Sequence, residues 1–303
     1  MRSRLVFPLV HLPLFLLTNV LWLVVVTGGV MAVALALSDR SVDVFLDPEA
    51  FVEWIGVGGV GALTILQTTG FAAIAAIMSL FLPAPADRPL PWIPPSVPAA
   101  AERLRAALAL HWPSVVWFAT AAVAATTVWM FPTWLAERLL ELLPDSVSTF
   151  ELITKHLQQS EGIGRLVMVA AIVVTAPLFE EIVFRGYLWR VVEIGAPQWV
   201  AAVVTTLLFA AYHTDPVHVL SVVPTAIFLG WLRYASRSIL PCILAHFTNN
   251  LIGTALAFGQ DPESTATMTF GLAVTGLAFT IVTSFVGARF ARLATTPLRS
   301  SPR

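Results

Sequence analysis

Residues Ala176–Arg190 read A-P-L-F-E-E-I-V-F-R-G-Y-L-W-R. They place Glu180, Glu181 and Arg185 directly after the apolar run Leu166–Phe179. That run is long enough to be most of a membrane helix. Ionisable groups at membrane depth are costly, so they face a protein interior and serve a function there. Residues Ile182–Trp189 carry the apolar character onward, which puts both carboxylates inside a helix rather than at its wet end.

The rest of the chain has the same character. Of its 303 residues, 57% are hydrophobic and 12% charged, against about 25% charged in a soluble domain. The deficit is shared along the chain, which predicts an all-α polytopic membrane protein rather than a soluble domain on an anchor. A net charge of −1 argues against a nucleic-acid partner. The single cysteine, Cys242, excludes an intrachain disulfide and a Cys-cluster metal site. Lys155 is the only lysine; every other basic residue is arginine, a skew read as a GC-rich, bacterial coding genome.

Eight spans are expected, each near the ~20 residues a bilayer requires. They run over Leu5–Leu37, Gly61–Leu82, Pro113–Pro132, Gly164–Ile194, Gln198–Tyr212, Val217–Tyr234, Ile239–Phe258 and Met268–Phe290. The first exceeds a secretory apolar region, which is about 7–15 residues. Ser38–Trp54 is polar and acidic and reads as a loop. The prolines of Pro83–Pro98 forbid a regular helix there. Ala99–His111 reads as a short interfacial helix, and Thr133–Arg165 as a pair of short surface helices. Gly195-Ala196-Pro197 is a stop and restart.

Basic residues set the orientation. With a cytoplasmic N-terminus, that side holds arginines 2, 4, 88, 103, 105, 185, 190, 233, 237, 289, 292, 299 and 303. The other side holds Arg40, Arg138, Lys155 and Arg165. An even number of spans then leaves both termini in the cytoplasm. The organisation expected is helices 1–3 with surface segments over 1–160, a core of helices 4–8 that bears Glu180, Glu181 and Arg185 over 161–290, and a basic tail over 291–303. The whole forms an irregular, conical helical bundle.

Within the fourth span, Glu181 and Arg185 are four apart with the acid first, the favoured order for an ion pair on one face. Glu180 is rotated from Glu181 by about 100°, so the two acids need not share a role. One can be neutralised by Arg185 while the other faces a water-accessible cavity as a general base. Phe209-Ala-Ala-Tyr-His213 ends the fifth span, and His246-Phe-Thr-Asn-Asn250 lies within the seventh. His246 and Asn250 stack on one helix face. A carboxylate, two imidazoles and an amide suit hydrolysis: the base takes a proton from water, and neutral donors stabilise the oxyanion. His218 reads as a loop residue, His11 and His111 as helix ends, and the tryptophans largely as an interfacial belt.

The ordered set E-E-x-x-x-R, F-x-x-x-H and H-x-x-x-N resembles the CPBP (ABI) family of type II CAAX prenyl proteases and bacteriocin-processing or immunity proteins. The matching positions are Glu180, Glu181, Arg185, Phe209, His213, His246 and Asn250, within Thr175–Leu251. The resemblance implies an intramembrane glutamic endopeptidase with no cofactor and no metal. It assigns water activation to Glu180 and His213, an oxyanion site to His246 and Asn250, and structural support to Glu181, Arg185 and Phe209. The implied partners are the bilayer and a peptide or protein substrate that is membrane-associated, lipidated or leader-bearing. The N-terminal part, Met1–Gln159, carries no matching motif. Two other readings compete. One is a zinc hydrolase ligated by Glu180, His213 and His246, although H-E-x-x-H is absent. The other is a proton-relay transporter or a non-catalytic immunity or scaffold protein.

Overall fold

The computed structural model describes residues 2–83, 96–143, 149–213, 215–259 and 267–295; side chains are described there except at 2–6, 149–151 and 295. Most of the proline-rich Pro83–Pro98 segment, with Arg88, and the tail from 296 onward lie outside the described residues. The described residues are helical with no strand. In order the α-helices are α1 (Arg2–Trp22), α2 (Gly28–Ala36), α3 (Pro48–Ser79), α4 (Val97–Ala107), α5 (Val115–Val128), α6 (Met130–Leu142), α7 (Thr149–Gln159), α8 (Gly162–Ala170), α9 (Ala176–Glu181), α10 (Trp189–Gly195), α11 (Gln198–Tyr212), α12 (Pro216–Ser236), α13 (Leu240–Gly259) and α14 (Phe270–Thr295). Short π-helical segments join α1 to α2 (Leu23–Thr27), α8 to α9 (Ala171–Thr175) and α9 to α10 (Ile182–Leu188).

Local chemistry starts and stops these helices. Asp47 caps α3 by accepting from the Glu49 and Ala50 amides, with Pro48 in the first turn. Ser96 and Ser114 cap α4 and α5 in the same way. Ala196 is extended before Pro197, as the residue ahead of proline tends to be, and this breaks α10 from α11. Arg237, left-handed at φ 62°, ends α12.

Among the described residues, six helices are long and apolar enough to cross a membrane: Phe7–Ala36, Pro48–Ser79, Val115–Leu142, Gly162–Gly195, Pro216–Ser236 and Phe270–Ala294. Eight were expected. The fifth expected span, α11, has only 15 residues. The seventh, α13, has 20 but carries His246, Thr248, Asn249 and Asn250, which lower its hydropathy. The second span begins at Pro48 rather than Gly61, with a kink at Gly56 where φ is 69°; the helix therefore takes in part of the acidic segment read as a loop. Large apolar side chains on α1, the π segment after it and α14, such as Leu17, Val24, Phe285 and Leu293, point out of the protein. In an integral membrane protein such faces meet lipid.

Three of the arginines counted toward the orientation are buried. Arg103, Arg185 and Arg233 are 2%, 0% and 4% exposed. Arg103 donates from Nε to the Leu80 carbonyl at 2.7 Å and from Nη2 to that of Leu82, capping the C-terminal end of α3. These arginines are structural donors, so counting them as topological charges overstated the orientation bias. Trp189 is likewise 0% exposed and belongs to the core, not to a belt. His11 lies inside α1, stacked on Phe7 and 3.2 Å from the Tyr187 hydroxyl, not at a helix end.

Packing brings the N-terminal helices onto the motif-bearing rod 162–195. One apolar cluster joins Phe15 of α1, Ala72 and Ala75 of α3, Val183, Phe184, Tyr187 and Leu188 of the π segment Ile182–Leu188, and Phe209 of α11. A second joins α5, α12 and α13 through Trp117, Leu229 and Cys242. Where α3 crosses α8 the backbones nearly touch: a Cβ on Gly58 would lie 2.7 Å from the Gly164 Cα, and one on Gly61 2.8 Å from that of Met168.

Candidate active site

Glu180 and Glu181 end α9, between two π segments. Glu181 is 0% exposed, and its Oε1 accepts from Arg185 Nη1 at 3.0 Å and from His246 Nδ1 at 2.9 Å. Arg185, also 0% exposed, donates from Nη2 to the Ala226 carbonyl at 3.2 Å, and its guanidinium lies 4.3 Å from the Phe209 ring centroid. The four-residue spacing thus forms the ion pair expected of it, and the same carboxylate also orients the imidazole of α13.

Glu180 faces elsewhere. It lines a cavity of about 250 Å³ walled by apolar side chains such as Leu12, Phe15, Phe71 and Phe184. Glu181 does not line it, and Glu180 is the one carboxylate among the described residues that does. Its Oε2 lies 4.0 Å from His246 Nε2. His246 therefore sits between the two acids, hydrogen-bonded to Glu181 and facing Glu180 without a hydrogen bond. Because a carboxylate only accepts, the Nδ1 bond to Glu181 fixes the proton on that nitrogen and aims Nε2 at Glu180.

His213 joins the group through aromatic contacts. Its Nδ1 donates to the Phe209 carbonyl at 2.9 Å, which leaves Nε2 as the acceptor of the neutral ring. The Phe209 ring centroid lies 5.0 Å from that of His213 and 5.7 Å from that of His246. Phe209 is thus a spacer between the two imidazoles as well as the face under Arg185. Asn250, one turn beyond His246, donates from Nδ2 to the Ile172 carbonyl at 2.9 Å and accepts from Asn249 Nδ2 at 3.1 Å.

Two residues next to the site were not singled out from the sequence. His218 lies in the first turn of α12 rather than in a loop, and its ring centroid is 4.3 Å from that of His213. Asp215-Pro216 is a helix-start signal, cap followed by proline, and read that way it would have turned His218 back against His213. Asp215 does cap α12, accepting from the Val217 and His218 amides. Tyr212 lines the same cavity as Glu180; only its neighbour His213 had a motif to draw attention to it.

Among the described residues, no three of His, Cys, Asp and Glu form a group that could hold a metal ion. The Glu180, His213 and His246 set expected of a zinc site is thus not assembled as one.

Comparison with curated proteins and with solved structures returned no match. Comparison with protein families returned one described as "Type II CAAX prenyl endopeptidase Rce1-like", matched over residues 162–252. The match covers just under a third of the chain and spans α8 to α13, so it includes all three motifs. Over that segment this integral membrane protein is similar to the Rce1-like type II CAAX prenyl endopeptidases, the family to which the residues around Glu180, His213 and His246 pointed.

Proposed function

We propose that the protein is an intramembrane endopeptidase that uses Glu180, with His213, to activate water without a metal. The observation that carries this reading is the division of labour between adjacent acids. Glu181 is buried and neutralised by Arg185, while Glu180 opens into an apolar cavity. A carboxylate on a cavity wall can meet both water and a substrate, as a general base must.

In the reaction, Glu180 takes a proton from water held between it and His213. The resulting hydroxide attacks the carbonyl carbon of the scissile peptide bond. The C–N bond then breaks, and the proton held by Glu180 passes to the leaving amine. His246 and Asn250 supply the donors to the oxyanion. With Nδ1–H committed to Glu181, His246 donates from Nε2 only when the ring carries its second proton. Glu181 is placed to stabilise that imidazolium. Asn250 has one N–H on Ile172 and a second left for the substrate.

The substrate class in this reading is a membrane-associated protein or peptide, lipidated or leader-bearing. The family description names prenyl substrates; a bacterial source would ordinarily lack them, so the prenyl group is not carried over to this chain. The protein would sit in the bacterial cell membrane with both termini in the cytoplasm.

The test compares peptide termini from cells expressing the wild type or Glu180→Gln, at equal abundance and with equal membrane insertion. Termini seen only with the wild type, and still formed in the presence of a chelator, support the reading and identify the substrate. Identical termini from both proteins would sink it. Loss with the chelator and recovery on adding zinc would favour a metal hydrolase.

A further inference from the structure

The two π segments that frame Glu180 and Glu181 are each completed from another helix. In the first, the Ala176 amide reaches back to Ala171 and passes over Ile172, whose carbonyl accepts from Asn250 Nδ2 at 2.9 Å. In the second, the Trp189 amide reaches back to Phe184 and Gly186 and passes over Arg185, whose carbonyl accepts from Arg233 Nε at 3.0 Å. A carbonyl skipped by a wide turn would otherwise be a buried acceptor without a donor, which costs free energy. Each is satisfied by a polar side chain from another helix.

Arg233 is the less expected of the two. It lies on α12, outside every recognised motif, and is 4% exposed. Its guanidinium stacks on the Trp189 ring at 5.0 Å from the centroid. Trp189 begins α10, directly after the π segment. The cation thus holds the C-terminal edge of the bulge twice, by a main-chain bond and by a ring face. Wide turns are strained and persist where the surroundings over-determine them. Closing this one would turn Glu180 and Glu181 relative to α10 by one residue's rotation, about 100°. Glu181 would leave His246, and Glu180 would leave the cavity.

We propose that Arg233 is a positioning residue for this site: it holds the π register that aims Glu180 into the cavity while Glu181 stays paired. The proposal rests on the peptidase reading for its consequence to chemistry, but the contact itself is tested without a substrate. Wild type, Arg233→Met, Arg233→Lys and Glu180→Gln are purified in detergent, and amide hydrogen exchange is followed by mass spectrometry over the peptide 182–190. The yield of Glu180-dependent new termini is measured in the expressing cells.

Arg233→Met is expected to raise exchange about tenfold or more within 182–190, with the other helices unchanged, and to cut the yield of termini by a similar factor. Arg233→Lys keeps a charged donor and is expected to recover part of both. Wild-type exchange within 182–190, or a wild-type yield of termini, in Arg233→Met overturns the proposal. Faster exchange throughout the chain also overturns it, since Arg233 would then support the whole bundle. Should Arg233→Met fail to accumulate, the lysine variant decides. Intermediate exchange confined to 182–190 supports the proposal. Wild-type behaviour, or failure to accumulate, overturns it. If Glu180→Gln yields the same termini as the wild type, the peptidase reading fails, and the exchange data still judge the Arg233 contact.

Discussion

Two adjacent glutamates with opposite surroundings make the residue scale the place where function and stability separate. Glu181 places Oε1 between Arg185 and His246, while its buried Oε2 has no hydrogen-bond partner among the described residues. Glu181→Gln leaves the Arg185 guanidinium buried and uncompensated. Removing one partner of such a pair costs about 3–5 kcal/mol, so a clear fall in melting temperature of the purified variant is expected. The double change E181Q/R185M removes the stranded charge and should recover much of that loss. It should not recover activity, because a neutral amide lacks the charge that stabilises the His246 imidazolium needed for donation from Nε2. Equal melting temperatures for the wild type and Glu181→Gln would contradict the role assigned to the pair. Glu180→Gln is the counterpart. It removes the proton acceptor from a cavity wall, and should leave the melt near that of the wild type.

At the scale of elements, the crossing of α3 and α8 sets how close the N-terminal half comes to the motif-bearing rod. A Cβ on Gly61 would meet backbone atoms of Met168 at 2.8 and 2.9 Å, and backbone cannot rotate away as a side chain can. Gly61→Ala must therefore part the two helices, at about 1–3 kcal/mol for overpacking. Gly253 in α13 is the control, since a Cβ there meets nothing within 4 Å. Gly253→Ala should be neutral or stabilising by about 0.5–1 kcal/mol through helix propensity. Thermal melts of both variants in one detergent check the contrast. Similar melting temperatures would mean that the crossing tolerates separation. The consequence reaches the site, because Phe71 of α3 walls the cavity that Glu180 faces.

At the scale of the whole molecule, the orientation rests on fewer charges than a count of arginines suggests. Arg103, Arg185 and Arg233 are folded into the interior and hydrogen-bonded to carbonyls or to Glu181. The arginines that flank the apolar helices in solvated positions carry the signal. Reporter domains fused separately to the N- and C-termini are expected to report the cytoplasm in both cases. Arg233→Lys, which changes a buried group, should leave that result unaltered. Termini on opposite sides would require an odd number of crossings, with just one of α11 and α13 spanning beside the six.

What the sequence determined by itself was the membrane class, the all-α architecture, the ion pair of Glu181 with Arg185 and the identity of the motif residues. These depend on composition and on helical spacing, which are local properties of the chain. The start of α3 was also present, in Asp47-Pro48, but the acidic residues around it resembled a loop. Tertiary structure alone decided which acid faces the cavity, that Leu12, Phe15 and Phe71 from the motif-free half wall it, and that His218 lies against His213. It also decided the two π segments and the side chains that complete them. The physical reason is that a skipped backbone bond is tolerable only when a donor arrives from elsewhere. Asn250 and Arg233 lie 78 and 48 residues along the chain from the carbonyls they satisfy. No local pattern encodes such a meeting, which follows from how α12 and α13 pack against the rod that bears the glutamates.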